Sequence, residues 1–538
     1  MSPIIAEAVI VVGASLVGLS AALCLASHNV PTIVLEKHAG ISKHPRAIGF
    51  TPRTMEIFHS VGIENNDPAP DDFKLERAHV ESVTGKWHSS SSWSDTDKQN
   101  NEDGMSYLQK EKSPKKEYSA ARGYANPQDK LEPILEARAL ELGADVRRQH
   151  TLLNVEQDEN GVTATVRDSQ GVQIQIKGSY LIAADGNRST VRELLQIARH
   201  GRGFMQNIQS VLFRAPLQQW TKGIVQFDID QPSLKAFLAS YSDGRWALMF
   251  KDDIERDDEA LRAAIYQAIG TTSFPLEIIT TANWELTALV ADTFQSGRIF
   301  LAGDAAHTLP PNRGGYGANT GIHDVHNLAW KLAAVLSGQS SAELLDTYDA
   351  ERRPVALLRH DQIFVRADYK VHLPTAMPAG EKIDDNAMEF GQIYISNGII
   401  GSSESLPQAM KPDEWKGQPG THLPHFWVEM DGGCQSSLDL VGSKSWTLLF
   451  ASGEWEDAAC RVNETSSIPL KGVQVGQSAQ VVPPNDFSAL FGVSENGCVL
   501  VRPDGYIAWR LAGLPSDCPQ VLDDILCQVA FRVGDYAN

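Results

Sequence analysis

The segment from Ala8 to Ala26 constrains the fold more than any other part of the chain, because its 19 residues carry no charge. Positions 9–12 are β-branched, glycines stand at 13 and 18, and Ala and Leu dominate the rest. This order indicates a buried strand, a turn and a helix. A second β-branched run, 32–35, ends at Glu36. Together they predict a βαβ unit of about 30 residues, the length of a dinucleotide-binding unit.

A membrane span or a signal-peptide core is the alternative interpretation of an uncharged run of this length. The change from strand to helix character within the run argues against both. The only charge that precedes it is the negative Glu7, whereas a signal peptide needs a positive flank. We therefore expect no membrane span and a cytoplasmic protein.

Composition narrows the class of protein further. The chain has 538 residues, 42% of them hydrophobic, and a formal net charge of −20. This length suggests about three domains with a large core and excludes disorder as the main state. The acidic balance disfavours nucleic acid and anionic membranes as partners. Six cysteines without a Cys-x-x-Cys pair predict reduced thiols, although five of them lie after residue 430 and leave a disulfide or two open.

The glycine turn of the βαβ unit has a specific physical role. Gly13 allows a tight turn, Gly18 allows close packing of helix on strand, and the helix N-terminus offers N–H groups to a pyrophosphate. Glu36 can accept hydrogen bonds from ribose hydroxyls. Ser15 replaces the middle glycine of the motif, and its side chain would crowd the approaching phosphate. This motif alone is therefore a weak predictor.

Two later segments repeat the pattern of a strand followed by a glycine turn. Residues 180–192 predict a strand, an Asp185-Gly186 turn and a helix capped by Ser189. Residues 298–307 predict a strand and a Gly303-Asp304 turn, followed by a Gly/Pro-rich loop and an amphipathic helix that ends at Gly338. Both aspartates could merely cap turns. However, both follow strands at the position where open α/β sheets bind ligands.

These three segments, in this order, resemble the class A flavoprotein aromatic hydroxylases, the single-component FAD monooxygenases of the para-hydroxybenzoate and phenol hydroxylase type. The similarity covers most of residues 5–365. Family members usually carry Gln and Ala where this chain has His323 and Val325. Further positions that agree are Arg46-Ala47, residues 52–56, Gln128, residues 344–348 and residues 351–354.

The resemblance implies an α/β fold: a Rossmann-type FAD-binding domain, a β-sheet substrate domain and a C-terminal thioredoxin-like α/β domain. It places the adenosine on Glu36 and the ribityl chain on Asp304. The helix beginning at Gly317 would point its N–H groups at the pyrimidine side of the flavin. The implied cofactor-binding residues are Gly13, Ser15, Gly18, Glu36, Arg46, Gln128, Asp185, Gly186, Gly303, Asp304, Gly317, Ala318 and Asn319.

The expected domain boundaries follow composition and resemblance. The FAD-binding domain takes residues 1–85, 118–200 and 291–370, and a linker takes 371–415. The polar run 86–117 is predicted to be a mobile loop, grouped with the substrate-binding sheet of 201–290. Residues 416–538 resemble the thioredoxin-like domain of the phenol and polyketide hydroxylase subgroup. Without Cys-x-x-Cys this domain is expected to give structural support or a subunit contact, and a homodimer is left open.

In the resembled family the sheet of residues 201–290 roofs the flavin and forms the substrate pocket. Strand aromatics are alternatively plain core residues. No catalytic residue is predicted, since the flavin carries the chemistry. The candidate substrate-binding residues are Phe213, Phe227, Tyr241, Met249 and Pro311.

Three histidines invite other interpretations. His323 and His326 lie three apart on one predicted helix, but no third ligand is near in sequence, and we expect no metal. His307 follows Asp304 and is expected to make a loop-stabilising hydrogen bond rather than to act as an acid or base.

The resemblance implies a reaction in which NAD(P)H, with NADPH preferred, reduces FAD. Oxygen then adds as a flavin C4a-hydroperoxide, and one oxygen atom enters a phenolic or polyketide-type aromatic ring of secondary metabolism. The single dinucleotide motif suggests that NADPH visits a groove without a domain of its own. Two alternatives stay open: a Baeyer–Villiger or epoxidising monooxygenase on the same scaffold, and a non-catalytic flavin-binding scaffold protein.

Overall fold

A computed structural model describes residues 8–44, 47–63, 74–92, 116–252, 254–311, 315–366, 380–430, 433–476, 479–483 and 486–533. The predicted βαβ unit is present: the run from Ala8 to Ala26 divides into strand Val9–Val12 and helix Leu16–Ser27. None of the helices in these ranges combines the length and the hydropathy that a bilayer-crossing segment needs.

The βαβ unit belongs to a six-stranded sheet in which all neighbours except one edge pair run parallel. Its central strands are buried along their whole length, as their β-branched composition predicts. In spatial order the strands are Gln295–Ser296, Ile299–Leu301, Tyr180–Ala183, Val9–Val12, Thr32–Glu36 and Asp145–Arg148. The same core takes in helices Leu16–Ser27, Gln128–Glu141 and Tyr316–Leu336 and the antiparallel strands Thr151–Gln157, Val162–Arg167 and Gln173–Gly178.

A second, eight-stranded sheet has its own apolar core. Helix Asp258–Ile269 packs on one face of this sheet, starting at an Asp257 cap and ending at Gly270. In spatial order the strands are His307–Thr308, Glu277–Ala291, Arg199–Arg214, Arg245–Phe250, Leu234–Ser240, Ile224–Gln231, Lys74–Val80 and Trp87–Ser92.

The last two strands of that sheet differ from the expected boundaries. Lys74–Val80 pairs with Ile224–Gln231 and so joins the second sheet rather than the FAD-binding domain. Trp87–Ser92 is a strand, not part of a mobile loop, because its backbone pairs with Lys74–Val80 while His88, Ser89 and Ser90 are exposed at the sheet edge. Backbone pairing does not need an apolar pattern, so composition gave no signal. The rest of the predicted loop, residues 93–115, lies outside the described residues.

The C-terminal part contains a four-stranded sheet with one parallel and two antiparallel pairs. Helices Gly453–Thr465 and Cys518–Val529 pack in its core, an arrangement consistent with the expected thioredoxin-like unit. All six cysteines are free, so no disulfide forms among them. The sheet order is Leu470–Gln474, Trp446–Phe450, Cys498–Val501 and Ile507–Leu511, and a small adjoining sheet contains Gly433–Ser436, Trp427–Met430 and Gln480–Val481.

Short elements complete the described chain. A two-stranded sheet pairs Gly49–Phe50 with Tyr124–Ala125. The remaining helices, including three 3-10 turns, are Pro52–Ser60, Thr190–Leu194, Gln218–Thr221, Gly303–Ala305, Ala342–Asp346, Thr347–Val365, Asp385–Phe390, Pro412–Trp415, Ser437–Leu440 and Phe487–Phe491.

A fully buried charge cluster joins the C-terminal domain to the domain built on the six-stranded sheet, which is called the first domain below. The Arg502 guanidinium donates to both carboxylate oxygens of Glu351 at 2.6 and 2.9 Å, and to Asp504 Oδ1 at 3.0 Å. Lys331 Nζ lies 2.8 Å from Glu351 Oε2. Burial alone would raise the pKa of Glu351, but the Arg502 and Lys331 charges hold that pKa well below its usual range. The cluster therefore stays ionised within the domain interface.

We predict that Arg502→Met destabilises the chain by about 3–5 kcal/mol, because it leaves the Glu351 charge buried without its main partner. The free energy of unfolding in urea measures this change. Arg532→Met is the matched control in the same domain, since its ion pair with Asp523 is partly exposed and should contribute about 1 kcal/mol or less. Equal losses in the two variants would contradict the prediction.

Candidate functional site

Three predicted turns meet at one edge of the six-stranded sheet. Strands Val9–Val12, Tyr180–Ala183 and Ile299–Leu301 are parallel neighbours, with Val12 opposite Ala183 and Ala183 opposite Leu301. Each strand leads into one of the turns that contain Gly13, Asp185 and Gly303. Since parallel strands end at the same edge, segments far apart in sequence form one site there.

The first turn has no room for any residue but glycine. Gly13 has φ +103°, and a Cβ there would lie 2.4 Å from the carbonyl oxygen of Ala184. A Cβ on Gly18 would lie 1.8 Å from the carbonyl oxygen of Gly13. The turn and the first helix turn are thus packed directly against the strand that carries Asp185. This agrees with the roles that the sequence analysis gave to both glycines.

The Glu36 carboxylate lies beside this turn at the end of its own strand. Its Oε2 accepts a hydrogen bond from the Ala14 N–H and its Oε1 accepts one from the His38 N–H, both at 2.8 Å. The side chain is buried, so these two bonds hold an acceptor group at the position where the sequence analysis expects ribose hydroxyls.

The Ser15 hydroxyl is part of a polar network that the sequence analysis did not anticipate. It donates to Glu132 Oε1 at 2.6 Å, and Gln128 Nε2 donates to the same oxygen at 2.7 Å. Ala47 N lies 3.3 Å from Gln128 Oε1, which links this network to the next loop. Burial raises the pKa of Glu132. The sequence did contain a signal for this network: Glu132 follows Gln128 by four residues, so the two side chains lie on the same face of a helix.

The Asp185 carboxylate is only half satisfied. Its Oδ2 accepts the Val191 N–H at 3.2 Å, whereas its Oδ1 is buried without a hydrogen-bond partner among the described residues. Burial raises the pKa of Asp185. The following Gly186 has φ +84° with open space beside it, and Ser189 caps the next helix as predicted by accepting the Arg192 N–H. An unused acceptor next to open backbone suits a ligand that donates hydrogen bonds.

The third turn, Gly303–Ala305, carries the half-buried Asp304. Gly303 has φ +57°, and a Cβ there would lie 2.9 Å from Val17 Cγ2. A Cβ on Gly321 would lie 2.8 Å from the Gly303 Cα. Helix Leu16–Ser27 and helix Tyr316–Leu336 therefore enclose this turn from two sides.

Helix Tyr316–Leu336 begins at the predicted Gly317-Ala318-Asn319 segment. The Asn319 side chain is buried and fully bonded: Nδ2 donates to the carbonyl oxygens of Gly315 at 2.6 Å and Gly49 at 3.2 Å. Its Oδ1 accepts from Thr54 Oγ1 at 2.7 Å. Asn319 thus fixes the helix start against the segment that follows Ala47. Arg46 and residues 312–314 lie outside the described residues.

The candidate substrate residues separate onto two faces of the second sheet. Phe213 and Phe227 are fully buried in the core beneath helix Asp258–Ile269, which is the core alternative that the sequence left open. Tyr241 and Met249 lie on the other face and pack with Ile48 from the first domain. Their assignments to a substrate pocket stay predictions.

The same face carries a buried polar contact between the domains. Ser210 Oγ lies 3.1 Å from His44 Nε2 and 3.3 Å from the carbonyl oxygen of Ala282. Pro311 is exposed, next to the part of its loop that is not described.

His323 makes a structural hydrogen bond. Its Nε2 lies 3.0 Å from Thr54 Oγ1, and because that hydroxyl donates to Asn319, the imidazole must be the donor. Burial, followed by the nearby Arg359 and Arg352 charges, lowers the pKa of His323 well below its ordinary value. No group of three His, Cys, Asp or Glu side chains in the described part of the chain has the arrangement of a metal site.

Comparisons with known proteins give the same picture over the whole chain. Residues 6–361 match a family model described as an FAD binding domain, and residues 416–529 match one described as the C-terminal part of aromatic-ring hydroxylases. The chain is similar to tetracenomycin A2 monooxygenase-dioxygenase from Streptomyces glaucescens, with 34% identity over 98% of this chain and 97% of the relative. It is 36% identical to 4-methyl-5-nitrocatechol 5-monooxygenase from a Burkholderia species, over 98% of both chains.

A solved structure is similar throughout. The ternary complex of aklavinone-11 hydroxylase with FAD and aklavinone matches with a TM-score of 0.87 and 31% identity, covering 99% of this chain and 100% of that one.

We predict that Gly321→Ala weakens binding of FAD at least tenfold, about 1.4 kcal/mol, because the added methyl group pushes helix Tyr316–Leu336 away from the Gly303 turn. Titration of the apoprotein with FAD measures the loss. Gly453→Ala is the control, since a Cβ on this helical glycine would meet nothing within 4 Å. Unchanged FAD affinity in Gly321→Ala would contradict the proposed packing constraint.

The neutral, buried His323 also predicts a pH dependence of stability. Below its ordinary pKa of 6.5 the unfolded chain takes up a proton at this ring and the folded chain does not, so the free energy of unfolding should fall as the pH is lowered from 6.5 towards 4.5. His323→Gln should flatten this slope by up to about 1.4 kcal/mol per pH unit. Urea unfolding at several pH values measures it. The matched control is His59→Gln at an exposed position, and a slope that His323→Gln leaves as steep as His59→Gln does would contradict the prediction.

Proposed function

The chain belongs to the FAD-dependent aromatic-ring hydroxylases and is a flavin-dependent monooxygenase, and we propose that it inserts one oxygen atom from O2 into a phenolic ring of a polyketide-type substrate. The observation that carries the cofactor site is the meeting of three glycine turns at one sheet edge. We propose NAD(P)H, and NADPH in preference, as the second substrate.

The donors and acceptors at that edge fit FAD. A pyrophosphate needs backbone N–H groups at a helix start, and the turn that Gly13 and Gly18 make possible places the start of helix Leu16–Ser27 there. The ribose hydroxyls need a fixed carboxylate, which Glu36 supplies. The Asp185 Oδ1 atom is buried and has no hydrogen-bond partner within the described ranges, so it is an acceptor that a bound group can complete. We therefore assign FAD to these residues, with Ser15, Gln128, Gly186 and Asp304 along the pyrophosphate and ribityl chain.

The isoalloxazine end is assigned to the start of helix Tyr316–Leu336. Backbone N–H groups in the first turn of this 21-residue helix, at Gly317, Ala318 and Asn319, and the positive end of its dipole favour negative charge on a group placed there. The Asn319 side chain cannot contribute to such a group because all its bonds are used within the protein. Arg46 remains part of the proposed set through the family resemblance alone.

FAD, when bound, supplies the transfer of electrons from NAD(P)H to O2 and of an oxygen atom to the substrate. The chain's own contribution is to bind, orient and exclude water. Tyr241 and Met249 form part of an apolar cluster on one face of the second sheet that packs with Ile48 of the first domain, so this cluster can cover an aromatic ring. The His44 and Ser210 pair is a polar group on the same face that could fix a substrate hydroxyl.

NADPH is proposed without a domain of its own. Within the described residues one βαβ unit carries the glycine turn. We assign FAD to the sheet edge at this turn, so the same edge is not free for a second dinucleotide. The four-stranded C-terminal sheet has a single parallel pair. A transient groove beside the flavin is the remaining place from which a nicotinamide could deliver hydride.

The substrate class is inferred from the relatives. Tetracenomycin and aklavinone in the names of two relatives are polycyclic polyketides, whereas 4-methyl-5-nitrocatechol in the third is a single ring. A screen should therefore contain both classes. We expect NADPH oxidation to rise at least tenfold with a polycyclic phenol, and a product heavier by one oxygen atom that derives from ¹⁸O2. A lactone from a ketone substrate would instead indicate Baeyer–Villiger chemistry, and no stimulation by either class of aromatic compound would contradict the proposed substrate class.

We predict that Asp304→Ala lowers the affinity for FAD at least tenfold, about 1.4 kcal/mol, because a half-buried acceptor for the ribityl chain is lost. The ratio of flavin absorbance to protein after gel filtration measures the loss. Asp346→Ala is the control: this carboxylate, on the 3-10 turn Ala342–Asp346, accepts from Gln295 Nε2 at 3.2 Å and should keep full flavin. Full FAD occupancy in Asp304→Ala would show that its assignment is wrong.

A further inference from the structure

Asp324 is a fully buried carboxylate that the sequence analysis did not single out. It lies on helix Tyr316–Leu336, one turn after Gly321, and contacts three other segments of the first domain. Its Oδ2 accepts the Gly303 N–H at 3.2 Å and lies 2.7 Å from His307 Nε2. Its Oδ1 accepts from Arg352 Nε at 2.8 Å. The carboxylate thus joins both ends of the turn that carries Asp304.

The surroundings keep Asp324 ionised. Burial alone would raise its pKa, but the His307 and Arg352 side chains hold the pKa of Asp324 below its ordinary value. An anionic acceptor makes stronger hydrogen bonds than a neutral one, and inside the core it is not screened by water. The Gly303 N–H is therefore held by a charge-assisted bond.

Arg352 is fixed in turn by groups outside the turn. Its Nη1 donates to the Tyr394 hydroxyl at 2.8 Å and its Nη2 donates to the carbonyl oxygen of Thr320 at 3.2 Å. The Tyr394 ring stacks on Tyr506 of the C-terminal domain, with centroids 3.9 Å apart. The carboxylate is consequently held from two sides and cannot move with the turn.

The turn itself has little freedom apart from this contact. Gly303 has φ +57°, and its Cα packs so closely on helix Tyr316–Leu336 that a Cβ at Gly321 would lie 2.8 Å away. Packing therefore sets the position of the Gly303 Cα, while the hydrogen bond to Asp324 sets the direction of its N–H. With both fixed, the peptide plane that leads into Gly303 is determined. The following plane, which leads into Asp304, is held by the Gly303 carbonyl oxygen, which accepts the Ala306 N–H at 2.8 Å.

We propose that Asp324 is a positioning residue for the cofactor: it holds the Gly303–Asp304 turn in the conformation that presents the Asp304 carboxylate to FAD before FAD arrives. This rests on the proposed function of Asp304. The His307 hydrogen bond, expected from sequence as loop-stabilising, is one of the contacts through which Asp324 acts. Preorganisation of this kind raises affinity because the turn loses no conformational freedom on binding.

The test compares Asp324→Asn with Glu351→Gln. Glu351 is an equally buried carboxylate on the neighbouring helix that bonds Arg502 and Lys331 and does not touch the turn. Three quantities are measured for each variant. The melting temperature is measured on the apoprotein, the Kd for FAD is measured by quenching of flavin fluorescence, and the visible circular dichroism is measured after FAD has bound.

Asp324→Asn should raise the Kd for FAD about tenfold or more, because a charge-assisted bond to the turn is lost, and should alter the visible circular dichroism. Glu351→Gln should lower the melting temperature at least as much, yet keep the Kd within about twofold and the spectrum unchanged. A wild-type Kd in folded Asp324→Asn, or an equal rise of Kd in Glu351→Gln, would overturn the proposal.

If Asp324→Asn does not fold, His307→Gln replaces it, since it removes one of the three contacts and leaves the carboxylate in place. It should raise the Kd about threefold, and an unchanged Kd would overturn the proposal. The failure of the proposed function looks different: wild-type protein would bind no FAD at all, whereas a failure of this inference leaves wild-type binding intact.

Discussion

The parallel pairing of strands Val9–Val12, Tyr180–Ala183 and Ile299–Leu301 is the constraint on which the site depends. Parallel strands end at one edge, so residues that are more than 100 positions apart must form neighbouring turns there. The turns are also interlocked, because a side chain at Gly13 would strike the Ala184 carbonyl oxygen of the next turn. A change of register would therefore move Gly13 away from the Ala184 carbonyl oxygen, beside which no larger residue fits. The pairing of these strands and the geometry of the proposed cofactor site thus depend on each other.

A second level of organisation joins this edge to the C-terminal domain. Asp324 links the Gly303 turn to Arg352, Arg352 bonds Tyr394, and Tyr394 stacks on Tyr506. Beside this chain of contacts, Arg502 of the same C-terminal turn inserts its charge between Glu351 and Asp504. Burying these charges has a large desolvation cost, which is offset only while every partner is present. Arg502 of the C-terminal domain thus supplies the positive charge that the buried Glu351 carboxylate of the first domain needs.

The sequence predicts features that depend on local patterns and misses most features that depend on contacts between distant segments. The Gly13, Asp185 and Gly303 turns were predictable because each is a short strand-turn-helix pattern that reads independently of the rest. Asp324 was missed because a carboxylate in the middle of a helix resembles any surface residue until its distant partners are known, whereas Glu132 had a local signal in its spacing from Gln128. The faces of the second sheet were equally hidden. Phe213 and Phe227 lie on one face of this sheet, and Tyr241 and Met249 lie on the other. Which face is turned towards the first domain depends on how all eight strands pair. Strand Trp87–Ser92 forms through backbone pairing that its polar composition does not signal.

The cysteines bear on the role of the C-terminal domain, which the sequence resemblance predicts to be thioredoxin-like. Thiol exchange needs an accessible thiolate with a lowered pKa and a second cysteine within reach. Burial instead raises the pKa of Cys498 well above its ordinary value and also raises the pKa of Cys518. Cys434 and Cys460 are exposed but are not paired with each other or with another cysteine. By contrast, Arg502 and Asp504 of this domain are fully buried against Glu351 of the other. The buried ion pair between Arg502 of this domain and Glu351 of the first domain therefore favours the expected structural role over thiol exchange, and that role stays a prediction.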